Sequence, residues 1–190
     1  MCVLVDHQIS DIGRAGHVMP FMVEQVNPAS YDLRIGATYI DQYTGQTLSN
    51  DVIELYPHSY ARDMWYNVKS FVMGVILRGK FGLPKHKASA ILATTIETVN
   101  IPKHLVGDVK LKSSLARYGL DHALAGFIDP GFKGQITLEL HVHRYVKLHY
   151  GQRIVQIVFT ETSGPPANAY NGNYQNQSGP TKSILEVNDV

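Results

Sequence analysis

Cysteine is almost missing from this chain. Cys2 is its one cysteine in 190 residues, which excludes an internal disulfide framework and any metal cluster built on several thiolates. It also suits a reducing compartment. Charge of one sign is lacking too. With 17 Lys+Arg against 16 Asp+Glu, the formal net charge is +1, so no global field favours a nucleic-acid polymer. A small anionic ligand needs only a few well-placed cations and stays compatible with this balance. No apolar run reaches membrane-spanning length. The opening "MCVLVDHQIS" lacks a basic segment followed by an apolar one, so no secretory signal is expected. No glycine-lysine phosphate loop is present, and nothing supports an ATPase. Internal repeats and Pro/Gly/Ser-rich linkers inside the chain are absent as well. These absences leave a soluble, cytoplasmic globular protein with no membrane and no nucleic-acid polymer as partner. The length suits one domain with a real core, or one domain plus a tail.

What is present reads mainly as β-structure. "YDLRI" sets Tyr31, Leu33 and Ile35 on one face and Asp32 and Arg34 on the other. "VIELY", "SFVMGVIL" and "AILATTIETVNIP" are β-branched or apolar runs that end at turn residues, while "GDVKLK", "QITLELHV" and "QRIVQIVFTE" alternate. Turns are expected at Asn27-Pro28, Gly45, Ile101-Pro102, Pro130-Gly131 and Tyr150-Gly151. Asp6 is a candidate cap for a short helix with apolar contacts at Ile9 and Ile12. In "SSLARYGL", Ser113 is a candidate cap for one helical turn that Gly119 would end. Many short strands at regular spacing predict a sandwich or closed barrel rather than alternating strands and helices. The boundary falls near residue 163. Residues 164–190 contain "SGPPANAYNGNYQNQSGPTKS", whose composition reads as a disordered tail or as a mobile lid ordering over a ligand through Tyr170, Tyr174, Gln175 and Gln177.

Two acids raise the question of chemistry. On strand 135–142, Thr137, Glu139 and His141 share a face opposite Ile136, Leu138 and Leu140. Glu139 is either a solvated outer-face residue or a carboxylate in a cleft, its pKa raised by burial until it can shuttle protons near neutrality. Asp129 precedes Pro130-Gly131 and is ordinary turn chemistry unless the turn brings it to the same cavity. Lys112, Ser113, Ser114 and Arg117 lie where a strand meets a helical turn, either as a phosphate cradle or as a cap with a solvated cation. His141, His143 and His149 read as solvated histidines. The lone cysteine cannot supply the H-x-E…P-C-x-x-C pattern of zinc nucleobase deaminases, and Ser113 or Ser114 as a nucleophile lacks an evident base.

In order along the chain, "NPASYDLRIG", "LKSSLARYGL", "AGFIDPGFKGQITLEL", "GQRIVQIVF" and "NYQNQSGPTKS" resemble the motifs of the dCTP deaminase branch of the dUTPase superfamily. "TIETVNIP" resembles the stretch upstream of the serine motif. The resemblance covers most of the chain except roughly residues 37 to 88. It implies an all-β fold, a distorted jelly-roll-like barrel with short helices, assembled as a homotrimer with active sites between subunits. The implied activity is zinc-independent hydrolysis of the cytosine amino group of dCTP to dUTP and ammonia. Glu139 then matches the general acid/base, while Ser113 and the Ala125 carbonyl match the groups that hold the attacking water. Arg117 matches the cation supporting the serine loop. Lys112 and Ser114 match phosphate-binding positions, with Mg2+ bridging the triphosphate through its own oxygens and waters rather than through protein ligands. Phe132, Tyr170 and Gln177 match residues that bind and close over the nucleotide, and dTTP is an expected inhibitor.

The "AGFIDPGFKG" spelling resembles bifunctional deaminase–dUTPases, in which Asp129 would hold the sugar and orient water for cleavage to dUMP and pyrophosphate. Departures from the family pattern are Lys110 and Leu111 before the serines, Leu124 in place of a Thr, Asn173 in place of a Lys, and one residue missing between Leu120 and His122. Phage-encoded members often diverge in this way, which would place the protein in a host cytoplasm. Two alternatives keep the resemblance but change the role: a dUTPase without deamination, or a catalytically weak nucleotide-binding or regulatory homologue.

Overall fold

Alternating and β-branched runs pair into strands almost wherever they occur. The computed structural model describes residues 2–57, 88–123 and 125–184. One curled sheet runs in the order β8 (Leu120–His122), β10 (Lys133–Val142), β6 (Ala90–Asn100), β3 (Ser30–Asp41), β12 (Arg153–Glu161), β7 (Leu105–Leu111) and β9 (Phe127–Ile128). Short β1 (Val18–Met19) joins β6, and β2 (Val26–Asn27) and β4 (Thr47–Ser49) join β3. A separate pair joins β5 (Val52–Leu55) to β11 (Val146–His149). The register of each pair is antiparallel. Of the sequence-predicted strands, "SFVMGVIL" lies outside the described residues.

Curvature comes from register shifts in the long strands, between Ile35 and Tyr39, Gln135 and Thr137, and Arg153 and Val155. An extra residue on one strand bends it and increases its twist. The shift at Gln135–Thr137 is held by Thr95, whose hydroxyl accepts from Ile136 N at 2.9 Å and donates to the Glu97 carbonyl at 2.7 Å. The backbone groups freed there are thus satisfied.

Inside the curl, Tyr31, Leu33 and Ile35 from β3 meet Leu138 and Leu140 from β10 and Ile157 and Phe159 from β12, all fully buried. The other face of β3 is covered as well. Glu97 has no exposed surface and takes Arg34 Nε at 2.6 Å, Arg34 N at 2.8 Å and Gln25 Nε2 at 3.1 Å. Asp32, also buried, takes Lys112 Nζ at 2.6 Å and Asn27 Nδ2 at 3.0 Å. Buried carboxylates survive in a fold when every lone pair finds a donor, so these pairs pin the N-terminal segment and the start of the serine motif to β3.

Two short helices depart from expectation at their starts. Helix α1 (Asp6–Ile12) begins with Asp6, and Val5 stands at the N-cap, its N–H bonded to Gln8 Oε1 at 3.1 Å. Helix α2 (Ser113–Arg117) has Lys112 at its N-cap without a side-chain cap bond. In both, the expected cap residue has moved one position into the helix, because the preceding residue already adopts the extended backbone that a cap needs. Gly119 (φ +94°) does follow the helix in the left-handed region where glycine is at least cost.

Residues 162–184 form no strand or helix, yet they are tied to the barrel. Tyr170 N donates to the Pro130 carbonyl (2.8 Å) and Asn176 N to that of Lys133 (2.7 Å). Gln175 Oε1 accepts from Lys133 N (2.9 Å), and Gly179 N donates to Gln135 Oε1 (2.7 Å). Farther on, Lys182 Nζ reaches the Gly45 carbonyl at 3.0 Å. A Cβ on Gly134 would meet Gln177 atoms at 3.1 Å, so the bare backbone there lets the tail lie down on β10.

Candidate active site

Where the tail crosses β10, it roofs a cavity of about 470 Å³. Ala125, Asp129, Phe132, Glu139, Tyr170 and Gln177, separated by up to about a quarter of the chain, all line it. Ala125 and Asp129 come from the segment that enters and leaves β9. A Cβ on Gly126 would stand 2.3 Å from the Val109 carbonyl oxygen, so glycine lets this segment seat flush on β7, fastened by Val109 N to the Gly126 carbonyl at 2.8 Å. Phe132 is buried beneath Tyr170, their rings edge to face with centroids 5.7 Å apart. Gln177 Nε2 donates to the Gln135 carbonyl at 2.6 Å, and Gln135 N to the Gln177 carbonyl at 3.0 Å.

Glu139 is neither a solvated strand residue nor sealed in the core. Its side chain is 28% exposed, and its Oε2 is buried. Burial raises its pKa above the usual carboxylate range, opposed by a backbone hydrogen bond and by the nearby His141. A carboxyl that keeps its proton toward neutrality can both take and give one. Behind it, His122 Nε2 lies 3.5 Å from Glu139 Oε2. Burial lowers the His122 pKa, against the charge of Asp121, which raises it.

The serine motif sits elsewhere. Ser113, Ser114 and Arg117 are exposed on α2 and, with Lys112, do not line the Glu139 cavity. The ammonium of Lys112 is held against Asp32. Of the departures from the family pattern, Lys110 pairs with Asp108, Leu111 packs against the core, Asn173 is exposed and Leu124 lies outside the described residues. Sequence reasoning missed His122, Gln42, Thr137, Thr181 and Ser183, the last four of which also line the cavity. Gln42 falls in the stretch without recognised motifs, and Thr181 and Ser183 lie in the tail. His122 is placed by register, opposite Leu140 and one residue from Glu139, with Ala123 N bonded to the Glu139 carbonyl at 3.0 Å.

A curled antiparallel sheet thus carries a carboxylate-lined cavity closed by the chain's own tail, and the sequence comparisons say which family shares it. The family model described as dCTP deaminase-like matches residues 3–162, and the chain belongs to this family. It is 35% identical over 164 residues to a dCTP deaminase of Pyrococcus horikoshii, covering 83% of each chain. To a protein of Dictyoglomus turgidum named dCTP deaminase, dUMP-forming, it is 36% identical over 179 residues, covering 86% of this chain and 82% of that one. Another dUMP-forming relative, from Aquifex aeolicus, is 32% identical and covers 98% of this chain and 97% of its own. Among solved structures, the 2'-deoxycytidine 5'-triphosphate deaminase of Agrobacterium tumefaciens superposes with a TM-score of 0.58 at 17% identity, which shows a shared fold. The match covers 83% of this chain and 47% of that one, so this chain spans about half of its length. No helix among the described residues is long and apolar enough to cross a membrane.

Proposed function

We propose that the protein hydrolyses the exocyclic amino group of dCTP, releasing ammonia and leaving dUTP. The observation that carries this reading is Glu139: a carboxyl with a raised pKa, in a cavity walled by the Ala125 segment, Asp129 and the tail. Glu139 takes a proton from a water held by the Ala125 carbonyl and attacking C4. One proton of that water ends on N3 and the other on the departing nitrogen, so that cytosine and water become the uracil ring and ammonia. Phe132, Tyr170 and Gln177 enclose the nucleotide, and dTTP, with the same sugar and triphosphate, competes for the same space.

Lys112, Ser113, Ser114 and Arg117 act on a neighbouring protomer's nucleotide in a homotrimer, Ser113 on the water, Arg117 behind the serine loop, and Lys112 and Ser114 on phosphates. Their absence from this chain's own cavity supports that arrangement, since exposed hydroxyls and a cation become a site only when a second surface closes over them. Among the described residues, no group of three or more His, Cys, Asp and Glu side chains is arranged to hold a metal ion. Mg2+ would arrive with the nucleotide and neutralise phosphate charge.

A second reading adds cleavage of the α–β phosphate link to give dUMP and pyrophosphate. Asp129, exposed on the rim of the same cavity, and the dUMP-forming names of two relatives favour it. Incubation with dCTP or dUTP and Mg2+, followed by assay of ammonia and separation of nucleotides, tests both readings. Ammonia with dUTP supports deamination alone. Ammonia with dUMP supports both steps, and dUMP from dUTP without ammonia from dCTP overturns deamination.

A further inference from the structure

Among the described residues, three side-chain atoms are buried without a hydrogen-bond partner: Gln25 Oε1, His122 Nε2 and Glu139 Oε2. The last two face each other at 3.5 Å. Buried polar atoms in native proteins are nearly always satisfied, and an orphan calls for an explanation. Proton count supplies one here. With no proton between them, a carboxylate lone pair would face an imidazole lone pair; with two, an acid O–H would face an imidazolium N–H. One proton satisfies both atoms, whether it rests on the carboxyl and points at Nε2 or rests on Nε2 and points at the carboxylate.

We propose that His122 is the positioning residue for Glu139, sharing one proton with its carboxyl group and turning the exposed part of that group toward the cavity. This rests on the deaminase reading and deepens it. While the shared proton sits on Nε2, the carboxylate is free to take a proton from water, and the same proton returns to Oε2 once the carboxyl has delivered its own to the base. No proton is gained or lost by the pair over the cycle. Burial works in the same direction, since it disfavours charge on both groups.

The charged and titratable groups around the pair come from several elements. Asp121 lies on β8, where it also faces His143 at 3.8 Å, and His141 follows on β10. β6 presents Leu92 opposite Glu139. Asp129, Tyr170 and Tyr174 stand along the cavity wall, Lys182 is bonded to Gly45, and Arg117 is exposed on α2.

Two measurements test the pair. Ring resonances of His122, identified by their loss in His122→Asn, are titrated by NMR in the nucleotide-free wild type and in Glu139→Gln. Removing the carboxyl partner moves the His122 midpoint by at least about 0.5 pH unit, downward where the shared proton rests on Nε2 and upward where it rests on the carboxyl; an unchanged midpoint overturns the pairing. This arm needs no turnover, so it decides the pair even if the wild type releases no ammonia from dCTP, a result that would instead sink the deaminase reading. In the second arm, His122→Asn is compared with wild type for ammonia release across pH, with melting temperature and nucleotide binding as controls. The expected outcome is a kcat at least about tenfold lower with a displaced pH profile and a KM changed by less than about twofold. A folded variant whose pH profile superimposes on that of the wild type overturns the role. Should His122→Asn fail to fold, His122→Gln serves for the kinetics, and the Glu139→Gln titration, with resonances assigned through Ala123 and Asp121, still decides the pairing.

Discussion

The Glu139 cavity and the serine helix α2 are both built from short motifs, yet they stand in opposite condition. At the cavity, one chain supplies floor, walls and roof: β10, the segment around β9, and the tail bonded along residues 130–137. A carboxyl sheltered in this way has its protonation set by the protein. At α2, two serines and an arginine stand in solvent, and the neighbouring lysine is already matched with Asp32. Exposed donors of this kind are screened and loosely ordered, so alone they bind an anion weakly. The contrast teaches that one chain gathers the Glu139 carboxyl, its imidazole neighbour and the Ala125 segment around a cavity, whereas in the proposed reading the serines and the arginine join a site only through a second surface.

The largest effect expected is at the enclosed end. Glu139→Gln should cut ammonia release from dCTP by about 10²–10⁴-fold while nucleotide binding persists; ammonia release at the wild-type rate would put the chemistry outside this cavity. The next prediction strikes at the contrast itself. Arg117→Ala is expected to be nearly inactive, and so is Glu139→Gln, but co-refolded in equal amounts they should recover roughly a quarter of wild-type activity, because random assembly makes that share of intersubunit sites intact. Failure of the mixture to recover any activity would place both residues in one chain's site.

Smaller effects sharpen the picture of the roof. Gln177→Ala removes a 2.6 Å hydrogen bond to the Gln135 carbonyl, a loss of about 1 kcal/mol, which should raise KM for dCTP roughly fivefold with kcat nearly unchanged. The least change concerns stability. Burial raises the Glu139 pKa in the fold, so between the ordinary carboxylate range and that raised value the folded chain holds a proton that the unfolded chain has released. Stability attached to that proton is lost as pH rises through this window. Glu139→Gln carries no such charge, and its melting temperature relative to wild type should therefore be higher at about pH 8 than at about pH 4. A pH-independent difference would mean that Glu139 titrates normally in the fold.

Several features were legible in the residues because they depend on local pattern. Alternation at Tyr31, Leu33 and Ile35 and at Ile136, Leu138 and Leu140 marks strands with a buried face, and those residues are buried. The turn signals at Asn27-Pro28 and Pro130-Gly131 fall at turns. Motif order brought Ala125, Asp129, Phe132, Glu139, Tyr170 and Gln177 onto one list, and they line one cavity. Other features were illegible for equally physical reasons. Asp32 and Arg34 alternate as a solvated face would, yet that face meets Lys112 and Glu97, both far away in sequence. The tail's composition reads as disorder because its ties run mainly to backbone groups of β10 and the preceding turn, which leave no apolar pattern. His122 shows no motif of its own and meets Glu139 only through the register of β8 on β10.

By itself, then, the chain of residues determined which segments become strands, where they turn, and which acids and amides would be available for chemistry, because side-chain period and turn preference act over a few neighbours. Tertiary structure decided how much water each group sees and what it faces: that Glu139 is sheltered beside an imidazole, that Lys112 is matched with Asp32, and that the serine helix stands apart from the cavity. Those are properties of long-range register and burial, and the charge state of a group follows from them rather than from its place in the sequence.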